Sequence, residues 1–220
     1  MGSRNPEKYP PQPTSRVQRK RARRIQEILE NAAELFGKQG YDAVSLEDVA
    51  ARLDVTKGSL YYYFSSKDEL STAAIEALGN DWTERLESLP FTGDETAGQR
   101  LDALIREHIN IAVREYPAAL SLFLRPNTWP ETQRAEIKAL RQRHDKVFRV
   151  VIEQGIAAGE FSVVNVRTTL QCMHAAMSQA PQWCESLSGD ALDTTIDDLT
   201  ATLMMLVGNP PRRQTATTPL

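Results

Sequence analysis

The sequence predicts an all-α chain: an N-terminal three-helix unit containing a helix-turn-helix, then a larger helical domain, about nine helices in all. Three observations predict it. Apolar residues recur at three-and-four spacing along most of the 220 residues, the period of one buried helix face. No segment shows the two-residue alternation of a half-buried strand. Ser, Thr and Asn, residues that cap helix N-termini, stand just ahead of several periodic runs. The expected organisation is an arm at 1–15, the helix-turn-helix unit at 16–66, the larger domain at 67–208 and a tail at 209–220.

Pro, Ser and Gln dominate the arm, so no regular structure is expected there. Ile25, Ile28, Leu29, Ala32, Leu35 and Phe36 form one face of a long first helix, closed by Gly37 and Gly40. Ser45 with Asp48 is a capping-box start for a short second helix whose inner face is Leu46, Val49, Ala50 and Leu53. Asp54 suits a left-handed turn position. Thr56 caps a third helix to about Tyr63, and Ser66 with Glu69 opens a fourth to about Leu89. Residues 90–98 read as a loop. Further helices are expected at about 99–116, a short one from Pro117, then 130–158, 166–185 and 192–207, with breaks at 125–130, Gly159 and 186–191.

Net charge is −3, which alone argues against a nucleic-acid binder, but its distribution argues the other way. Residues 1–70 carry 12 basic and 10 acidic side chains, the remainder 14 and 19. Six of the nine residues in Arg16–Arg24, "RVQRKRARR", are basic. Screening confines such fields to about 8–10 Å, so a local basic block binds phosphates even on an acidic chain. The N-terminus has no apolar core of a secretory signal, and no apolar run nears the roughly 20 residues of a membrane span. Cys172 and Cys184 lack metal-type spacing and are expected as free thiols in a cytoplasmic protein. No cofactor is expected.

The run "YYYF", Tyr61–Phe64, cannot face one core, because helix neighbours point about 100° apart. In a helix-turn-helix the second helix enters the DNA major groove. Leu60 and Phe64, four apart, then face inward with Val55. Lys57, Gly58, Ser59 and Tyr62 face base edges: Lys57 donates to guanine, and Gly58 lets the backbone approach. Ser45, Thr56, Tyr61, Tyr63 and Lys67 are the candidates for phosphate contact, joined by Arg16, Arg19, Lys20 and Arg23 of the basic block. The plain alternative is a purely packed aromatic cluster.

The segment "AAELFGKQGYDAVSLEDVAARLDVTKGSLYYYFSSKDEL" resembles the N-terminal domain of TetR-family transcriptional regulators. Phe36, Gly40, Ser45, Val49, Ala50, Val55, Thr56, Gly58, Ser59, Leu60, Tyr61, Phe64, Lys67 and Leu70 carry the likeness, over roughly residues 20–70. Tyr63 stands where the family usually has His, and Asp54 where Gly is common. The resemblance implies a double-stranded DNA operator as partner. It implies an all-helical ligand-binding and dimerisation domain beyond residue 70, and two last long helices that build a four-helix bundle with a partner subunit. It also implies a small molecule that releases DNA.

The last two helices offer Met173, Met177, Ile196, Leu199, Leu203 and Leu206 as the face of a homodimer. Trp82, Phe123, Trp129, Phe148 and Trp183 are the candidate pocket rings, with Arg106, His108, Arg125 and His144 as polar anchors. A largely apolar effector, with an acidic head or as a CoA thioester, fits that set; Glu107 and Glu115 keep a cationic one open. His108, His144 and His174 have no metal spacing. Enzyme chemistry lacks a signature: no glycine-rich phosphate loop, nucleophile elbow or HExxH. The expected function is a ligand-responsive DNA-binding regulator, a repressor released from a palindromic operator. The alternatives are a ligand-independent architectural DNA binder, or an activator.

Overall fold

A computed structural model describes residues 15–118, 120–124 and 129–208. The arm (but for Ser15), the tail and Arg125 lie outside these residues. Among the described residues every regular element is helical. The order is α1 (Arg16–Gln39), α2 (Leu46–Arg52), α3 (Lys57–Tyr61), α4 (Lys67–Glu87), α5 (Ala97–Asn110), α6 (Ser121–Leu124), α7 (Glu131–Ala157), α8 (Val166–Trp183) and α9 (Gly189–Met204).

Local chemistry sets the ends. Ser15 caps α1, its hydroxyl accepting from Gln18 N–H at 3.2 Å while the Gln18 side chain accepts from Ser15 N–H at 3.0 Å. The basic block therefore forms the first turns of α1, and the helix runs on to Gly40, whose φ of 86° stops it. Ser45 and Asp48 cap α2 reciprocally. Asp54 follows with φ 51°, the one non-glycine positive φ among the described residues, and this left-handed step turns the chain from α2 into α3. Thr56 caps α3, its Oγ1 accepting from Ser59 N–H at 3.2 Å.

Several ends differ from expectation. The α3 helix stops at Tyr61, two residues early; Tyr63 and Phe64 both donate to the Leu60 carbonyl, a tighter final turn. Ser66 caps α4, but the Glu69 carboxylate returns to Ser65 N–H at 2.7 Å, one residue before the expected partner. The α5 helix begins inside the expected loop because Thr96 and Gln99 form a capping box there, and because Glu160 accepts from Ala97 and Gly98 N–H at 3.2 and 3.0 Å. A π-helical turn, Ile111–Glu115, ends that run. The short sixth helix starts at Ser121 rather than Pro117, and a 3₁₀ turn, Met205–Val207, continues α9.

The core is continuous from α1 to α9. Ile28, Ala32 and Phe36 pack with Val49 and Leu60 in the N-terminal unit, and Arg52 holds α2 to α1 through Asn31 and Glu34. The long α4 leads into the helices behind, packing on α1 and α7; α5 packs on α7 and α9. No helix of the described residues is long and apolar enough to cross a membrane. Cys172 is exposed and Cys184 buried, both as free thiols.

Two glycines set close approaches. A Cβ on Gly155 would lie 2.1 Å from the buried Phe161 ring, whereas one on Gly79 would meet the Leu140 methyls at 2.8 Å. A flat ring fixed in the core yields less than a rotatable isobutyl group. Urea denaturation of Gly155→Ala is therefore expected to show a loss of roughly 1–3 kcal/mol, larger than that of Gly79→Ala. Equal stability of Gly155→Ala and the parent would contradict this packing.

Candidate nucleic-acid interface and core site

Leu60 is fully enclosed and Phe64 nearly so, while Tyr61 is 43% and Tyr62 73% exposed. Tyr63 is half-buried and stands edge-on to Tyr62 at 5.1 Å. The aromatic run thus divides into inward and outward rings, as the spacing predicts. Lys57, Gly58 and Ser59 are exposed beside Tyr62. Lys57 pairs with Glu47 of α2 and lies over the Tyr61 ring at 5.4 Å. The Glu47 carboxylate accounts first for the raised pKa of the Lys57 ammonium. Ser45 and Thr56 use their hydroxyls as caps. Lys67 reaches the Asp42 carbonyl at 3.4 Å and sits 4.2 Å above the Tyr41 ring. Arg16, Arg19, Lys20 and Arg23 are exposed on α1.

Of the nine expected pocket residues, Trp82, His108, His144 and Phe148 come together in the helical core, and Arg125 lies outside the described residues. Trp82 and His108 lie 5.0 Å apart, His108 and Phe148 6.0 Å. The others go elsewhere. Arg106 is on the surface, spanned by Asp102 and by Asp197 of α9. Trp129 leaves the core site and packs against Phe36 at 5.7 Å and Tyr41 at 5.3 Å. Phe123 is half-buried on α6, and Trp183 is 52% exposed at the end of α8. Met173, Met177, Ile196 and Leu203 are enclosed by this chain itself, and Leu199 partly so. Leu206 remains 41% exposed. Spacing alone could not separate a face buried within the chain from one left for a partner.

The sequence missed the arrangement of the three histidines. His108 of α5, His144 of α7 and His174 of α8 meet with ring centroids 5.0, 5.3 and 6.3 Å apart. His108 is 4% exposed, and neither of its nitrogens has a hydrogen-bond partner among the described residues. Nε2 of His144 and Nε1 of Trp82 are also buried without hydrogen-bond partners among the described residues, and the buried Nε2 of His174 makes none but lies 3.6 Å from an Asp145 carboxylate oxygen. Among the described residues no three His, Cys, Asp or Glu side chains stand in metal-holding geometry. Two hollows lie away from these rings. An open groove of about 390 Å³ between the starts of α4 and α7 is lined by Asp68, Glu69, Glu76 and Gln133. A narrow cleft beside α1 is lined by Leu29, Ala33, Asp81 and Tyr116.

Burial first, then the His144 and His174 rings, push His108 well below the ordinary imidazole range. Burial and the His174 ring push His144 down to about 3, against the pull of Asp145. In the window below about pH 6.5, the unfolded chain binds protons that the folded core refuses. Stability is therefore present above that pH and lost as pH falls towards the depressed values. The unfolding free energy from urea titrations is expected to fall between about pH 6.5 and 4.5, by up to roughly 1.4 kcal/mol per pH unit for each such ring. His144→Phe is expected to flatten the dependence; an equally steep profile in that variant would contradict it.

The family description "Bacterial regulatory proteins, tetR family" matches residues 28–74, and "Tetracyclin repressor-like, C-terminal domain" matches residues 94–205. The biofilm operon icaADBC HTH-type negative transcriptional regulator IcaR of Staphylococcus epidermidis is 26% identical over 144 residues, 63% of this chain and 75% of the relative. The uncharacterized HTH-type transcriptional regulator YuxN of Bacillus subtilis is 28% identical over 119 residues, 52% of this chain but only 40% of the relative. A solved tetR-family regulatory protein from Rhodococcus RHA1 superimposes with a TM-score of 0.73 at 20% identity, covering 85% of this chain and 98% of that one. AibR in complex with isovaleryl coenzyme A and operator DNA gives 0.67 at 21% identity, covering 86% and 100%. With one match on the helix-turn-helix and another over half the chain behind it, this protein belongs to the tetR family of bacterial regulatory proteins, DNA-binding and ligand-responsive regulators rather than enzymes.

Proposed function

We propose that the chain is a repressor that holds a palindromic operator as a homodimer and lets go when a small, largely apolar molecule enters the α4, α5, α7 and α8 core. Residues 16–66 would form the DNA-binding domain and residues 67–208 the effector and dimer domain. The observation that carries the reading is the outward face of α3. Tyr61 and Tyr62 present large rings to solvent beside exposed Lys57 and Ser59. A Cβ on Gly58 would meet nothing nearer than Thr56 Oγ1 at 4.0 Å. The bare backbone there serves no packing within the chain, and it suits approach to a groove.

In this reading Lys57, Gly58, Ser59 and Tyr62 meet base edges. Ser45, Thr56, Tyr61, Tyr63 and Lys67 meet phosphates, with Arg16, Arg19, Lys20 and Arg23 from α1. Lys57 must exchange Glu47 for its base. The name of IcaR, a negative regulator, supports repression. The isovaleryl-CoA bound by AibR supports an acyl thioester as one form of the effector. In anisotropy titrations, Lys67→Ala is expected to weaken binding to all sequences alike and to lower the salt slope by about one. Lys57→Ala is expected to relax preference at one base pair, by about 1–3 kcal/mol. Parent-like binding by Lys57→Ala, Tyr61→Ala and Lys67→Ala together would overturn the assignment of α3.

The dimer reading rests on α8 and α9. Over its 18 residues α8 has only Arg167 and His174 as ionisable side chains apart from Cys172, although Gln171, Ala175, Gln179 and Trp183 face outward. The outward side of α9 and its 3₁₀ turn continues with Ala201, Thr202, Met205 and Leu206. A solvent-facing helix normally carries many charges, so this sparsely charged face, which still holds Arg167 and Asp198, suits a two-fold partner. Sedimentation is expected to give a dimer at micromolar concentration. Met205→Glu with Leu206→Glu is expected to give a folded monomer, because Met205 is 79% exposed and neither side chain belongs to the core. A monomeric parent would sink the interface.

A further inference from the structure

The three histidines of this chain are all it has, and all meet in one place. Trp82 Nε1 is buried beside them, and an indole nitrogen can only donate. A guest that satisfies Trp82 must therefore bring an acceptor. His108 has two unpartnered nitrogens and sits between Trp82 and the other two imidazoles. Leaving so many buried donors and acceptors unmade costs stability, and tetR-family regulators respond to ligands.

The charges around the cluster decide what the guest is. On α4, Arg85 is held by Glu107 and Glu115, beside Asp81. On α5, Arg106 is held by Asp102 and Asp197. On α7, Arg143 is held by Glu87 and Asn80, and Arg149 by Asp145, whose other oxygen lies 3.6 Å from His174 Nε2. Tyr116 beyond Trp82, and Phe148 against His108, His144 and His174, complete the wall. Each nearby guanidinium already has its carboxylate. An anion entering this core finds a countercharge only if an imidazole takes up a proton.

We propose that His108, His144, His174 and Trp82 are the head-group site of the effector core, and that they take a weak organic acid bound as its carboxylate together with one proton. This rests on the reading of the chain as an effector-released regulator. The carboxylate comes from solution ionised, the proton comes from solvent, and the proton resides on an imidazole nitrogen facing the carboxylate; no bond to carbon forms or breaks. Burial keeps the His108 and His144 imidazoles neutral at pH 7, so uptake of carboxylate and proton is coupled. Affinity then falls as pH rises, about tenfold per pH unit for one coupled proton. A neutral thioester or amide shows no such coupling.

The test is isothermal titration of the full-length protein with straight-chain acids from butanoate to dodecanoate and with phenylacetate. It is run in buffers of different ionisation heat, with octanamide as the uncharged-head control and octanoyl-CoA as the thioester comparison, whose charge lies on its phosphates. The expected result is binding of at least one carboxylate with about one proton taken up, and a roughly tenfold loss of affinity from pH 7 to 8. His108→Leu is expected to abolish proton uptake while the free protein stays folded, with a higher melting temperature because two orphaned nitrogens are gone. Trp82→Phe is expected to weaken binding several-fold with the proton count unchanged. Tighter binding of octanamide or octanoyl-CoA than of any acid, binding without proton uptake, stoichiometric Zn²⁺ or Ni²⁺ binding lost in His108→Leu, or no binding by any acid would each overturn the proposal. If other compounds nevertheless release DNA, the regulator reading survives that failure. If no compound releases DNA, the effector reading itself falls.

Discussion

Trp129 seated against Phe36 and Tyr41 is the contact on which communication along this chain depends. It puts the residue just before α7 against the end of α1, within the N-terminal unit. Tyr41 in turn donates to Asp68 at the start of α4 and lies under Lys67. Gln133 of α7 is almost wholly buried and reaches Thr72 Oγ1 at 3.1 Å, with longer contacts to Ser71 and the Asp68 carbonyl. The starts of α4 and α7 are thus tied to each other and to the tail of α1. A displacement of α7 relative to α4 in the core must be felt at this junction. Packed interiors resist continuous deformation, so a shift there moves the N-terminal unit as a body. A ligand produces that shift only by binding one arrangement better than the other.

The core site sits on the same two helices. Trp82 comes from α4, His144 and Phe148 from α7, and His108 and His174 close it from α5 and α8. Ion pairs from α9 to Arg106 and Arg114 brace α5 from outside. These pairs are part-exposed and so contribute little stability each. Their larger consequence is to hold α5 and the π-helical turn after it against α9. The buried imidazoles are left as the adjustable charge. Local rules of packing fail here in the manner expected of a functional site, where unsatisfied polar groups are tolerated for what they bind.

Most of the fold was legible in the sequence because its signals are local. Ser45, Thr56, Ser66 and Asn165 each cap the helix they precede. Asp54 adopts the left-handed turn, and the division of Tyr61–Phe64 into inward and outward rings follows from helix geometry alone. What was not legible depends on contacts distant in sequence. The cap that Glu160 gives α5 crosses more than sixty residues. Trp129 and Arg106 look like pocket residues by type, and only the packing reveals that one meets Tyr41 and the other Asp197. Met173, Met177, Ile196 and Leu203 have the spacing of an interface, yet a buried stripe looks the same whichever chain covers it. His108 and His144 were legible as polar anchors of a pocket, but their meeting with His174 was not, because helices from different parts of the chain bring the three together.

The central claim is that two copies of α3, related by a two-fold axis, read a DNA sequence. In vitro selection of duplexes bound by the full-length protein, followed by footprinting on the selected sequence, tests it most directly. The account predicts an inverted repeat, with protection on both half-sites and spacing set by the helical turn of DNA. Binding without sequence preference, or to a single half-site with no symmetry, would contradict it.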